Sequence, residues 1–371
     1  MSVKELLNQF HDIASDPKKQ MDRYLAEGRK VVLTAPVYTP EELVHAMGMV
    51  PMGVWGADVE LKEAKRYFPA FICSIVQSIV EMGMKGAYEG ASALIVPSLC
   101  DSLKVLGENW KYAVPSIPFI PMTYPQNRKP AYGIAYTKAG YERVMRDLEK
   151  ATGAQFSEEA LQESLGVYNE HNEAMRHLTA VLADHPEVSA VQRNDVFKSA
   201  WFLRKEEHTQ LVKELIQALE AEQPGAAKKR IMTTGVLTDS PELLKIFDEN
   251  GLQIVCDDVA AESRQYRTDN GEAASALDSL AEKFANMDNC SVLYDRDKKR
   301  VAMIVDQAKA AKADGVILIM TKFCDPEEFD YVPIKRACEA AGIPVLLIEA
   351  DRQMVNYEQA RTMIETFKDL L

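Results

Sequence analysis

Apolar side chains recur at helical spacing over the first 28 residues. Leu6, Leu7 and Phe10 form one stripe among polar neighbours, and Met21, Tyr24 and Leu25 repeat it, so residues 2–28 read as a packing helix. The pattern then changes. Residues 30–33 are a short run rich in β-branched side chains that predicts a buried strand, and Tyr38-Thr39-Pro40-Glu41-Glu42 predicts a helix start. Thr39 suits the N-cap, Pro40 the first helical position, and the two glutamates the positive end of the helix dipole.

The same succession returns about 200 residues later. Arg230-Ile231-Met232-Thr233 reads as a strand, and Ser240-Pro241-Glu242 as a hydroxyl cap, a proline and an acid opening the next helix. A second pair of segments matches more closely. Residues 93–101 and 315–325 are each an apolar strand ending in Cys-Asp, at Cys100-Asp101 and Cys324-Asp325. Each is followed by a strand introduced by proline, at Pro118 and Pro344.

Short apolar strands alternating with amphipathic helices predict right-handed βαβ units and an open parallel sheet. The expected fold class is α/β, with two Rossmann-like, doubly wound parallel-sheet domains related by an internal repeat. A helical N-terminus (1–28) precedes the first α/β domain (29–154); a helical bridge (155–226) leads to the second (227–371). Leu161, Leu165 and Tyr168 mark one apolar face of the bridge, and Leu211, Leu215, Ala218 and Leu219 another. Gln223-Pro224-Gly225 breaks the pattern at its end.

Composition narrows the class. The chain has 371 residues, 47% hydrophobic and 27% charged, with no apolar run long enough to cross a bilayer, so no membrane partner is expected. The start lacks the basic, then apolar, then small-residue pattern of a secretory signal, which points to the cytoplasm. A net charge of -13 argues against a nucleic-acid partner. Six scattered cysteines in a long acidic chain suit reduced thiols or ligands better than disulfides.

In open parallel sheets ligands collect beyond the carboxyl ends of the strands. Cys100 and Cys324 stand at such ends, one in each half, and could meet if those edges face each other. Cys73 precedes an expected helix at residues 74–82, where the dipole would lower its pKa. By spacing alone the three read more readily as small buried apolar side chains than as ligands, because no CxxC pair is present. Cys256 and Cys338 read as core, and Cys290 as a reserve ligand on a loop. No glycine-rich nucleotide fingerprint follows either first strand. The histidines read as satisfied or solvent-facing. Glu41-Glu42 and Glu327-Glu328 are explained by helix starts, with Glu41 a weak catalytic candidate bordering the cleft. The run from Asp295 to Arg300 reads as a solvated loop.

Four segments together resemble one family, the subunits of 2-hydroxyacyl-CoA dehydratases and benzoyl-CoA reductases. They are Pro40-Glu41-Glu42-Leu43 running to Gly48; Cys73-Ser74; Val96-Pro97-Ser98-Leu99-Cys100-Asp101-Ser102-Leu103-Lys104; and Lys322-Phe323-Cys324-Asp325. The overall pattern is most similar to the family's dehydratase beta subunits. The resemblance implies a 4Fe-4S cluster held by Cys73, Cys100 and Cys324, a homologous alpha subunit as heterodimer partner, and an ATP-dependent iron–sulfur activator protein. It implies loss of water from a (R)-2-hydroxyacyl-CoA through a ketyl radical, with the acyl-CoA bound mainly by the partner and this cluster relaying electrons. In some relatives a flavin, FMN, is also bound, and the resemblance extends that option here. Three rival readings stand beside it: a benzoyl-CoA reductase subunit, a non-catalytic cluster carrier, and a two-lobed binding protein with inert cysteines.

Overall fold

The structure, a computed structural model, describes residues 1–371. Helices α1 (Val3–Ser15) and α2 (Pro17–Ala26) come first. The segment read as one helix is therefore two: Asp16 accepts a hydrogen bond from the Lys19 amide, and Pro17, which has no N–H to give to a preceding turn, starts the second.

The first sheet unit runs β1 (Val31–Thr34), α3 (Glu41–Ala46), β2 (Val50–Gly53), α4 (Ser74–Met84), β3 (Ala93–Pro97), α5 (Asp101–Ala113) and β4 (Phe119–Met122). Four helices follow: α6 (Ala131–Thr152), α7 (Glu158–Leu182), α8 (Ala190–Ser199) and α9 (Lys205–Glu220). The second unit runs β5 (Lys229–Gly235), α10 (Pro241–Glu249), β6 (Leu252–Val259), α11 (Ala276–Asn286), α12 (Lys299–Ala310), β7 (Gly315–Thr321), α13 (Asp325–Ala340), β8 (Val345–Ala350) and α14 (Glu358–Lys368).

Both sheets are wholly parallel, in the orders β2-β1-β3-β4 and β6-β5-β7-β8. The two orders are the same topology written twice, which bears out the internal repeat. β1, β3 and β7 are buried along their whole length because helices cover both faces, hence their uninterrupted apolar runs. Ser240 caps α10 as expected, accepting from the Leu243 amide at 3.4 Å. Thr39 does not cap α3. Its hydroxyl donates to the Ala35 carbonyl at 2.6 Å, and the N-cap position falls to Pro40.

The helical layers cross the units. Leu6 and Phe10 of α1 pack with Met175 and Leu178 of α7, Phe197 of α8 and Leu215 of α9 in one core. α11, although it follows β6, packs on α6 and α7, and Leu280 and Phe284 join the core of the first sheet.

Candidate functional site

Each sheet reverses its strand order between its first and third strands, and at such a point the loops diverge and leave a crevice at the carboxyl edge. Here the two crevices open into one cavity of about 640 Å³. Pro36 and Val37 after β1, Cys100 after β3, Val236 after β5 and Cys324 after β7 all line it. Cys73, carried in by the long β2–α4 connection, completes the set.

All three cysteines stand at helix N-caps: Cys73 on α4, Cys100 on α5 and Cys324 on α13. Their sulfurs therefore lie near first-turn amides, those of Ile75 and Val76 for Cys73, Ser102 and Leu103 for Cys100, and Glu327 for Cys324. The expectation that the dipole lowers the Cys73 pKa is corrected. Burial pushes that thiol up to about 12, and the two amides offset only part of it. Burial raises Cys100 as well, and raises Cys324 well above the usual thiol range with help from Glu327, Cys73 and Cys100. Cys100 thus opposes ionisation of Cys73, and both oppose that of Cys324.

Local backbone sets these positions. Phe323 lies in the left-handed region at φ 63°, a conformation costing a bulky residue about 1 kcal/mol or more, and it turns the chain from β7 into Cys324. Arg352, on the loop after β8, reaches back to the other unit. Its amide donates to Ser74 Oγ at 3.1 Å, and its guanidinium to the Trp55 carbonyl at 3.1 Å, Asp58 at 3.2 Å and Asp239 at 2.9 Å. Cys73 is thereby tied to the second sheet by a residue that sequence reasoning passed over.

The charged run ending at Arg300 is not a solvated loop throughout. Arg300 is 2% exposed and its side chain enters a buried lattice behind Cys324. It donates to Asp258 at 2.7 Å, Asp330 at 2.9 Å and Glu327 at 2.8 Å. Arg264 donates to the other Glu327 oxygen at 2.9 Å, to Ser291 Oγ at 2.9 Å and, weakly, to Cys290 Sγ at 3.5 Å. Burial pushes the Glu327 carboxyl up, but the two arginines outweigh it and hold the group below the usual carboxylate range. Cys290 is buried beside this lattice and does not line the cavity, whereas its neighbour Ser291 does. Cys256 and Cys338 lie in the core of the second sheet.

Glu41 stands elsewhere. With Glu42, Lys205, Lys283 and His171 it lines a separate space of about 60 Å³, too small for a substrate. Glu41 pairs with Lys205 at 3.2 Å and Glu42 with Lys283 at 2.6 Å, so both glutamates stitch α3 to distant segments, a role their helix-start positions did not reveal.

No three of the chain's histidines, cysteines and carboxylates converge tightly enough to hold a single metal ion. A cluster of several irons asks something different: separate thiolates for separate irons, with amides to hydrogen-bond the sulfurs. Three thiols, from three helix starts, around one roomy cavity fit that demand.

Two parallel α/β units offering three thiols to one shared crevice define the class: a two-lobed protein with a thiol-lined centre. Within that class the chain belongs to the family described as 2-hydroxyglutaryl-CoA dehydratase, D-component, whose model matches residues 36–371. It is 47% identical over 370 residues to the (R)-phenyllactyl-CoA dehydratase beta subunit of Clostridium sporogenes, covering 99% of each chain. Against the lactoyl-CoA dehydratase subunit beta of Anaerotignum propionicum it is 42% identical, covering 100% of this chain and 99% of that one. Against the (R)-2-hydroxyglutaryl-CoA dehydratase subunit beta of Acidaminococcus fermentans the identity is 34%, with 100% of both covered.

Proposed function

We propose that this chain is the beta subunit of a 2-hydroxyacyl-CoA dehydratase and that Cys73, Cys100 and Cys324 hold a 4Fe-4S cluster. The convergence of those three thiols on one cavity is the observation that carries the cluster, and full-length similarity to three dehydratase beta subunits carries the activity. Bound there, the cluster would supply electrons one at a time at low potential. The protein's own part is to present three sulfurs at fixed positions, to bury them, and to direct first-turn amides at them. Activity would require a homologous alpha subunit that binds most of the acyl-CoA, and an ATP-dependent iron–sulfur protein to deliver the electron. No helix is long and apolar enough to cross a membrane, and we place the enzyme in the cytoplasm. We divide the chain into 1–28, 29–154, 155–226 and 227–371, with the cluster between the second and fourth of these.

Anaerobic purification with the partner subunit tests this directly. A brown protein with about four irons in this chain, depleted in each of Cys73→Ser, Cys100→Ser and Cys324→Ser, is the expected result. It should dehydrate a 2-hydroxyacyl-CoA once the activator and ATP are added. A colourless chain, stably folded and indifferent to those substitutions, would reject the cluster and the electron-transfer role together.

A further inference from the structure

The lattice behind Cys324 is a connected set of ion pairs, most of them buried. Arg264, Arg267, Arg300 and Lys298 meet Asp258, Glu327 and Asp330. All but Arg267 and Lys298 are essentially without solvent, where an unmatched charge is costly. Lys298 also lines the cavity, beside Cys324 and Ser291, so the lattice reaches from its buried carboxylates to the edge of the thiol-lined centre.

Glu327 is the member nearest to Cys324 along the chain. Its amide donates to the Cys324 carbonyl at 3.0 Å, so it rides on the same first turn of α13. One carboxylate oxygen takes Ser291 Oγ at 2.6 Å and Arg264 at 2.9 Å, and the other takes Arg300 at 2.8 Å. The arginines thus fix the turn that carries Cys324. They also neutralise a carboxylate that would otherwise oppose added negative charge beside it.

We propose that Glu327, clamped by Arg264 and Arg300, is a positioning residue that sets how readily the group held by Cys73, Cys100 and Cys324 accepts an electron. The proposal rests on the cluster reading above. Adding one electron increases the negative charge at the centre by one, and the terms that respond are the charges fixed within a few ångströms in a low-dielectric interior. Removing the negative charge in Glu327→Gln, at nearly constant shape, therefore eases reduction. Removing a positive charge in Arg300→Met hinders it, and Arg300→Lys, which keeps the charge, returns most of the loss.

The test is an anaerobic redox titration of the two-subunit protein with Ti(III) citrate, the reduced cluster of this chain being followed by electron paramagnetic resonance. We expect Glu327→Gln and Arg300→Met to move the midpoint in opposite directions, each by about tenfold in the reduction equilibrium, or ~59 mV for one electron. Lys298→Met guards against misfolding, because that side chain is half exposed and lines the cavity. It should shift the midpoint in the same direction as Arg300→Met, by less. Midpoints unchanged, or shifted in the same direction by Glu327→Gln and Arg300→Met, with the cluster intact, overturn the inference while leaving the cluster reading in place. A wild-type protein that binds no iron overturns both.

Discussion

Two buried histidines illustrate what single residues contribute. His208 Nε2 lies 3.0 Å from the Val196 carbonyl, which can only accept, so the proton sits on Nε2 and Nδ1 accepts from His171 Nε2–H at 3.0 Å. Burial, with Lys205 nearby, lowers the His208 pKa to about 3 and drives that of His171 well below the usual imidazole range. A folded-state pKa below the unfolded value means that the unfolded chain binds more protons, so stability is fully present above about pH 6.5 and is lost as pH falls. Between pH 7 and 5 the loss from His208 alone should be about 2 kcal/mol. Urea unfolding at the two pH values measures it, and His208→Gln should flatten the difference. At this scale the sequence read both histidines as satisfied or solvent-facing, and their pairing, which joins α7 to α9, was not readable from either position alone.

Helix starts and strand ends are the working elements of the centre. α5 and α13 present a cysteine at the N-cap because parallel strands deliver the chain to one edge and the following helix begins there, while α4 presents Cys73 at the end of the long connection from β2. Gly235 ends β5 at that edge. It has φ 148°, and a Cβ would meet the Ile319 carbonyl oxygen of β7 at 2.3 Å. Gly235→Ala should therefore part the strands beneath the cavity and destabilise the protein by about 3 kcal/mol, readable as a lower denaturant midpoint with unchanged slope. The strands and most helix starts were legible, since β-branched runs, prolines and hydroxyl caps act locally. The break at Pro17 and the displaced cap at Thr39 were misread. In the first an apolar stripe continued across a helix boundary, and in the second a hydroxyl was already engaged by the Ala35 carbonyl.

Across the whole molecule, one side chain joins the loop before Cys73 to the second sheet. Arg352 is 7% exposed and contacts Asp239, which is 8% exposed, together with Asp58 and two carbonyls of the opposite unit. Arg352→Ala leaves Asp239 buried with only Lys198, at 3.3 Å, to compensate it. The expected cost is about 3 kcal/mol, and iron retained after gel filtration should fall because Cys73 loses its tether. Thermal unfolding followed beside iron content checks both. A variant that kept its iron and its stability would show that the other contacts between the halves, apolar packing and the Glu42–Lys283 pair among them, suffice without this tether. The extended core supplies that competing hold, since Val236, Val259 and Phe284 pack with the first sheet.

The sequence by itself determined the alternation of strand and helix, the doubling of one topology, and the placing of Cys100 and Cys324 at matching strand ends. These follow from periodicity and from short-range chain geometry, which each stretch of residues carries within itself. It also held the family's scattered motifs. Only the tertiary structure decided that Cys73 joins the other two, that Glu41 and Glu42 serve distant lysines, and that Arg300 is a buried counterion. Charges and thiols separated by as many as 294 residues interact through space, and their energies depend on burial and on partners supplied by other elements. No local pattern contains that information.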